Sequence, residues 1–105
     1  MRVTILGCGT SGGVPRIGDD WGVCDPAEPK NRRRRCSILV HNGASTVLVD
    51  TSPDLRQQML DARIDRLDAV LWTHAHADQV HGIDDLRTIA IRSRKPVECY
   101  AAPGT

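Results

Sequence analysis

Apolar residues along the chain fall into short clusters separated by glycine, proline and charge, and the spacing inside each cluster predicts the element it forms. Residues 2 to 6, Arg-Val-Thr-Ile-Leu, predict a strand that stops where four glycines and a proline in "GCGTSGGVP" interrupt regular structure. From Arg16 to Arg35 no apolar period survives among Gly, Asp, Pro, Asn and Arg, which predicts a long surface loop of the kind that serves function or moves. Two apolar strands follow, 36 to 41 and 45 to 50, joined across Asn42 and Gly43, which tolerate the left-handed backbone of a tight hairpin. Ser52, Pro53 and Asp54 then predict a helix start: a capping hydroxyl, a ring that pre-sets the helical dihedral, and an acid near the positive end of the dipole. Leu55, Met59 and Ala62 recur at helical spacing behind it. Residues 68 to 72 are the continuous apolar run of a strand buried on both faces, and they empty into the polar string "THAHADQVHG". A second helix is predicted from about Asp84, with Leu86, Ile89 and Ala90 on one face, before Pro96 resets the chain for a strand over 97 to 101. Thr105, after Pro103 and Gly104, has the character of a helix cap and reads as the start of a further element.

The 105 residues, 40% hydrophobic and 26% charged, match one globular domain rather than a disordered or fibrous chain. No apolar run approaches the roughly 20 residues of a membrane-spanning helix, and glycines arrive too early for a signal peptide, so a cytoplasmic protein is expected. Fourteen basic against thirteen acidic residues leave a net charge of +1, with no global field to draw nucleic acid or an anionic membrane. Cys8, Cys24, Cys36 and Cys99 form no CxxC pair and read as free thiols. Two Trp, one Tyr and no Phe leave the core to aliphatic residues, enough for a small domain with little margin.

The sharpest chemical feature is His74, His76 and Asp78 at alternate positions after the buried strand. Alternate side chains of extended backbone point the same way, so the two imidazoles can converge on one cation while Asp78 reaches that ion or a neighbour. Imidazole and carboxylate suit zinc and related divalent ions, and a catalytic site keeps a position open for water. The bland reading is a polar loop whose histidines cap backbone groups. His81 adds a third imidazole to this segment, suited equally to ligation and to facing a substrate or supporting a ligand.

The strings "THAHADQVHGIDDLR", "LGCGTSGGVP" and "VLVDTSPDLRQQM", in that relation along the whole chain, resemble the metallo-β-lactamase-fold hydrolases, and within them the branch of phosphoribosyl cyclic phosphate phosphodiesterases. The resemblance implies an α+β fold, the N-terminal half of an αββα sandwich with a mixed sheet and flanking helices, and a single partial domain over residues 1–105. It carries His74 and His76 onto a first zinc and Asp78 onto a second, with Asp78 also the candidate catalytic carboxylate. Gln79 stands where the family signature has a histidine, and an amide is a weak, neutral ligand. Zinc or manganese is implied, two ions in complete relatives and fewer here, since further ligands of the family come from sequence beyond the matched stretch. Asp50 corresponds to the family's first acidic position and is expected to anchor the metal loop, or, on local chemistry alone, to close a strand-end turn.

Gly7, Gly9 and Gly12 formally spell a dinucleotide-binding loop, but Pro15 and the composition beyond it argue against the helix such a loop must open. Lys30 and Arg32, Arg33, Arg34 and Arg35 are either a solvated charge run or a patch that attracts the phosphate of a substrate. Cys24, Cys36 and His41 fit no common zinc-finger spacing. Two functions follow: a metal-dependent phosphodiesterase acting on a small phosphodiester or nucleotide-like substrate, with nucleic acid left open and no membrane, or a partial family member without catalysis that binds ligands or self-associates through an uncovered sheet.

Overall fold

The computed structural model describes residues 1–105. Five strands, β1 (Arg2–Gly7), β2 (Ser37–Asn42), β3 (Ser45–Val49), β4 (Ala69–Trp72) and β5 (Cys99–Ala101), form one sheet in the order β1-β2-β3-β4-β5. The first three are antiparallel neighbours, while β3, β4 and β5 run parallel, so the sheet is mixed as expected. In the β2–β3 hairpin Asn42 stays in the ladder opposite Ser45, and the turn is Gly43–Ala44, one residue later than the sequence suggests. Gly43 alone takes the positive φ of +61°, which costs a residue without a Cβ nothing.

Three α-helices complete the chain: α1 (Leu55–Ala62), α2 (Ala77–Val80) and, after a 3-10 turn over His81–Asp85, α3 (Leu86–Ser93). Helix α1 begins later than its expected cap at Ser52, because that hydroxyl is used inside the preceding turn. Ser52 Oγ accepts from the Asp54 N–H at 3.0 Å and donates to Gln58 Oε1 at 2.7 Å. The α2 turn was not legible in the polar string that contains it.

The connections β3–α1–β4 and β4–α2–α3–β5 both step sideways in the same direction, and right-handed crossovers then place α1 and α3 on the same face of the sheet. The core lies there: Leu6, Leu39, Leu48 and Val70 from the strands meet Leu55 and Met59 of α1 and Leu86 and Ile89 of α3. The opposite face carries two cross-strand rows, Val3–Val40–Val47–Ala69 and Ile5–Ile38–Val49–Leu71–Tyr100. None of these nine residues is buried. The loop from Arg16 to Arg35 is mostly exposed, fixed by the bridges Val14↔Arg33 and Arg16↔Asp20 and one 3-10 turn, Pro29–Asn31. No helix follows the glycines after β1, which rules out a dinucleotide loop.

Candidate metal centre

Strand β4 delivers Thr73 and His74 beside the end of β3, where Asp50 is 6% exposed and holds a left-handed φ of +64°. That conformation is costly for any residue with a Cβ and least so for Asp and Asn. It is held in place by bonds on every side. The Asp50 N–H donates to Leu71 O at 2.8 Å, and its carbonyl accepts from Ser37 Oγ at 2.8 Å. Its carboxylate accepts from the Thr73 N–H and from Thr73 Oγ1, each at 2.8 Å. The threonine hydroxyl has one hydrogen, already given to Asp50, so toward His74 Nδ1 at 2.8 Å it acts as acceptor. His74 therefore keeps its hydrogen on Nδ1 and presents a lone pair on Nε2.

His74 Nε2 lies 3.1 Å from His76 Nδ1, with the rings edge to face and their centroids 4.5 Å apart. Two imidazole nitrogens bound to one tetrahedral ion stand about 3.3 Å apart, given metal–nitrogen distances near 2.0–2.1 Å. The alternate spacing thus brings these two side chains together, both exposed at the surface. Asp78 does not join them. His76 is the last extended residue (φ −64°, ψ 150°), α2 begins at Ala77, and Asp78 sits in its first turn, out of the two-residue alternation. No three His, Cys, Asp or Glu side chains converge as a metal-binding group.

Asp78 Oδ2 instead accepts from Gln79 Nε2 at 3.0 Å. Gln79 is 8% exposed, and its Oε1 is the one buried side-chain polar atom without a partner. Its backbone carbonyl is bonded to Thr51 N at 2.8 Å and Thr51 Oγ1 at 3.2 Å, and Thr51 Oγ1 accepts from Trp72 Nε1 at 2.8 Å. The Gly82 N–H donates to Thr51 O at 3.1 Å, and a methyl group at Gly82 would overlap the carbonyl oxygen of Ser52. The loop is thus bolted to the end of β3 through Thr51 and Gly82, which sequence reasoning missed; the available signal was the polar run Asp50-Thr51-Ser52 directly behind an apolar strand, and all three residues are buried. His81 is exposed at the start of the 3-10 turn, and no hydrogen bond engages its ring. The two imidazole nitrogens suit one divalent ion. At Asp78 and Gln79 one carboxylate is engaged by a neutral amide, a donor set that does not suit a second.

The four arginines have separate partners. Arg32 stacks 5.1 Å from the Trp21 ring centre, Arg33 Nη1 contacts Cys8 Sγ at 3.2 Å, Arg34 pairs with Asp61 at 2.6 Å, and Arg35 grips Asp54 through Nε at 2.8 Å and Nη2 at 3.1 Å. Two guanidiniums are therefore neutralised within the chain, and Arg32 and Arg33 carry no ion pair. All four cysteines are free. Cys36 and His41 lie five residues apart on one extended segment, about 16 Å, too far to share an ion. A hollow of about 410 Å³ beside the loop is lined by Trp72, Ala75, Val80, Ile83 and Tyr100 with no cationic side chain to hold a phosphate.

This fold, with a histidine pair where the parallel strand β4 ends, defines a class. Residues 45–105 match the family model described as "Beta-lactamase superfamily domain", and the chain belongs to that family, whose fold is that of metal-dependent hydrolases. Among solved structures, a diphosphatase of the PhnP family superposes with a TM-score of 0.88 at 42% identity, over 96% of this chain and 41% of its own. The chain is 52% identical over 85% of its length to an octanoyltransferase of Porphyromonas gingivalis, matching 18% of that protein. It is 33% identical over 99% of its length to coenzyme PQQ synthesis protein B of Methylobacterium radiotolerans, and 36% identical over 73% to ribonuclease Z of a Bradyrhizobium strain. A zinc-bound PqqB from Methylobacterium extorquens shares the fold (TM-score 0.65, 22% identity). The chain spans less than half the length of each of these relatives. No helix is long and apolar enough to cross a membrane.

Proposed function

We propose that residues 1–105 are the N-terminal part of a metallo-β-lactamase-like domain and carry the first metal-binding half of a phosphodiesterase site. The observation that carries this reading is the His74–His76 pair at 3.1 Å, with the Nε2 lone pair of His74 set by Asp50 through Thr73. His74 and His76 would hold a zinc or manganese ion there, which would supply Lewis acidity and bring the pKa of water toward neutrality, so that its deprotonated form is available as a nucleophile toward phosphorus. Asp78 is the nearby carboxylate able to orient that water or take its proton once Gln79 releases it. His81, exposed and unbonded, faces a substrate or adds a ligand. Arg32 and Arg33, the members of the run without an ion pair, attract the anionic phosphodiester, and the nucleotide chemistry of ribonuclease Z extends the substrate class to nucleic acid. Four free thiols suit the reducing cytoplasm.

A second reading, a partial family member without catalysis, is favoured by the lack of any third converging ligand. One experiment separates the two. The chain is loaded with zinc or manganese, its metal content is measured after dialysis, and hydrolysis of a chromogenic phosphodiester is followed beside His74→Ala. Metal retention and hydrolysis that both fall at least about 100-fold in His74→Ala support the hydrolase reading. Retention without turnover supports the silent one, and metal content unchanged by His74→Ala overturns the site itself.

A further inference from the structure

We propose that Gln79 is a positioning residue that keeps the Asp78 carboxylate out of the ligand set at His74 and His76, so that the two imidazoles take up a divalent ion without it. The inference rests on the reading of the histidine pair as a metal site and deepens it. Asp78 Oδ2 lies 3.0 Å from Gln79 Nε2. An ionised carboxylate only accepts, so the end of the amide that faces it must be the N–H end, and turning the amide over would set oxygen against oxygen. Gln79 itself is fixed. Its backbone N–H donates to His76 O at 2.9 Å, its carbonyl accepts from the Thr51 N–H and Thr51 Oγ1, and the residue is buried.

The cost of this arrangement shows at the other end of the side chain. Gln79 Oε1 is closed off by atoms of residues 1–105 themselves, with no further segment needed to cover it, and it has no partner. A buried acceptor left in that state costs more than an ordinary neutral hydrogen bond returns. Leucine would fill a comparable space without stranding an oxygen, so what the amide contributes here is its bond to Asp78. That bond acts on a half-buried acid two residues beyond His76, in the first turn of α2. Released, Asp78 would be drawn toward a divalent cation at the two imidazoles, because an anionic oxygen is a stronger ligand for zinc or manganese than a neutral amide. Held by Gln79, it remains an acceptor outside the coordination shell.

Zinc affinity is measured by competition with a chromogenic chelator, and the visible spectrum of the cobalt(II)-loaded chain reports the ligand set. Asp78→Asn alone should leave zinc affinity within about 3-fold of the parent, since the carboxylate is not a ligand. Gln79→Leu removes the donor and keeps the bulk; it should tighten zinc binding at least about 10-fold and shift the cobalt bands. Adding Asp78→Asn to Gln79→Leu should reverse both changes, a dependence that altered packing alone would not produce. Circular dichroism checks that each variant folds, and should Gln79→Leu fail to fold, Gln79→Ala serves in its place. A larger loss of affinity in Asp78→Asn alone, or a Gln79 variant with the affinity and cobalt bands of the parent, would overturn the inference while His74→Ala still abolishes binding. Zinc uptake indifferent to His74→Ala would overturn the histidine-pair reading, and this inference with it.

Discussion

Thr73 stands between a carboxylate and an imidazole, and its single hydroxyl hydrogen decides which nitrogen of His74 is free. Thr73→Val keeps the shape and removes the relay. We expect metal affinity to fall about 10- to 100-fold, the usual effect of deleting a group that orients a ligand. The nitrogen-15 spectrum of His74 should change from one tautomer to a mixture while the fold persists. An unchanged spectrum would show that some other contact sets the ring. His74 and His76 were legible in the sequence because extended backbone enforces a period of two. Asp78 and Gln79 were not, because the change of period occurs at Ala77, within one residue of the last histidine, and no capping side chain announces it. Asp50 could be read as an anchor for the loop or as a strand-end turn residue, and its carboxylate takes the N–H and the hydroxyl of Thr73. Its partner Thr73 was quoted in the motif and given no role, since nothing in the letters says that a hydroxyl beside a histidine will accept rather than donate.

Among elements, α1 and α3 both terminate on a non-glycine residue in the left-handed region, Arg63 at φ +56° and Arg94 at φ +58°. Glycine is the residue most at ease there. Arg63→Gly and Arg94→Gly should each raise stability by about 1 kcal/mol, read from urea midpoints, the strain removed outweighing the entropy that glycine adds to the unfolded chain. The paired strands were readable from β-branched runs and turn residues, and the register error of one residue in the hairpin came from crediting Asn42 with a role that Gly43 performs alone. The late start of α1 was hidden for a different reason: Ser52 is a capping residue by type, but burial offered its hydroxyl a partner in Gln58. Between β3 and β4, the Thr46 N–H bonds Asp68 at 2.6 Å, and with help from Arg66 it lowers the Asp68 pKa from its ordinary value of 3.8. A carboxylate whose pKa falls on folding adds stability above its unfolded value and withdraws it as pH drops through the folded one. Stability should therefore decline below about pH 4, and Asp68→Asn should be less stable at neutral pH and lose less on acidification.

Only 17 of 105 residues are buried, and the radius of gyration of 14.4 Å exceeds the roughly 13 Å of a compact chain of this length. The aliphatic composition foretold a thin core, and the resemblance foretold a half-sandwich. The sequence alone could not show that both helices share one side, since that follows from the direction in which successive parallel strands are added. The same order of strands has a consequence for how the molecule breathes. Strand β3 has an antiparallel neighbour on one side and a parallel one on the other, so it sits at the seam where hairpin and crossover halves join. Its amides should be the last to trade hydrogen for deuterium, after β1 and β5 at the rims, and their exchange should report the opening of the entire chain rather than of either half.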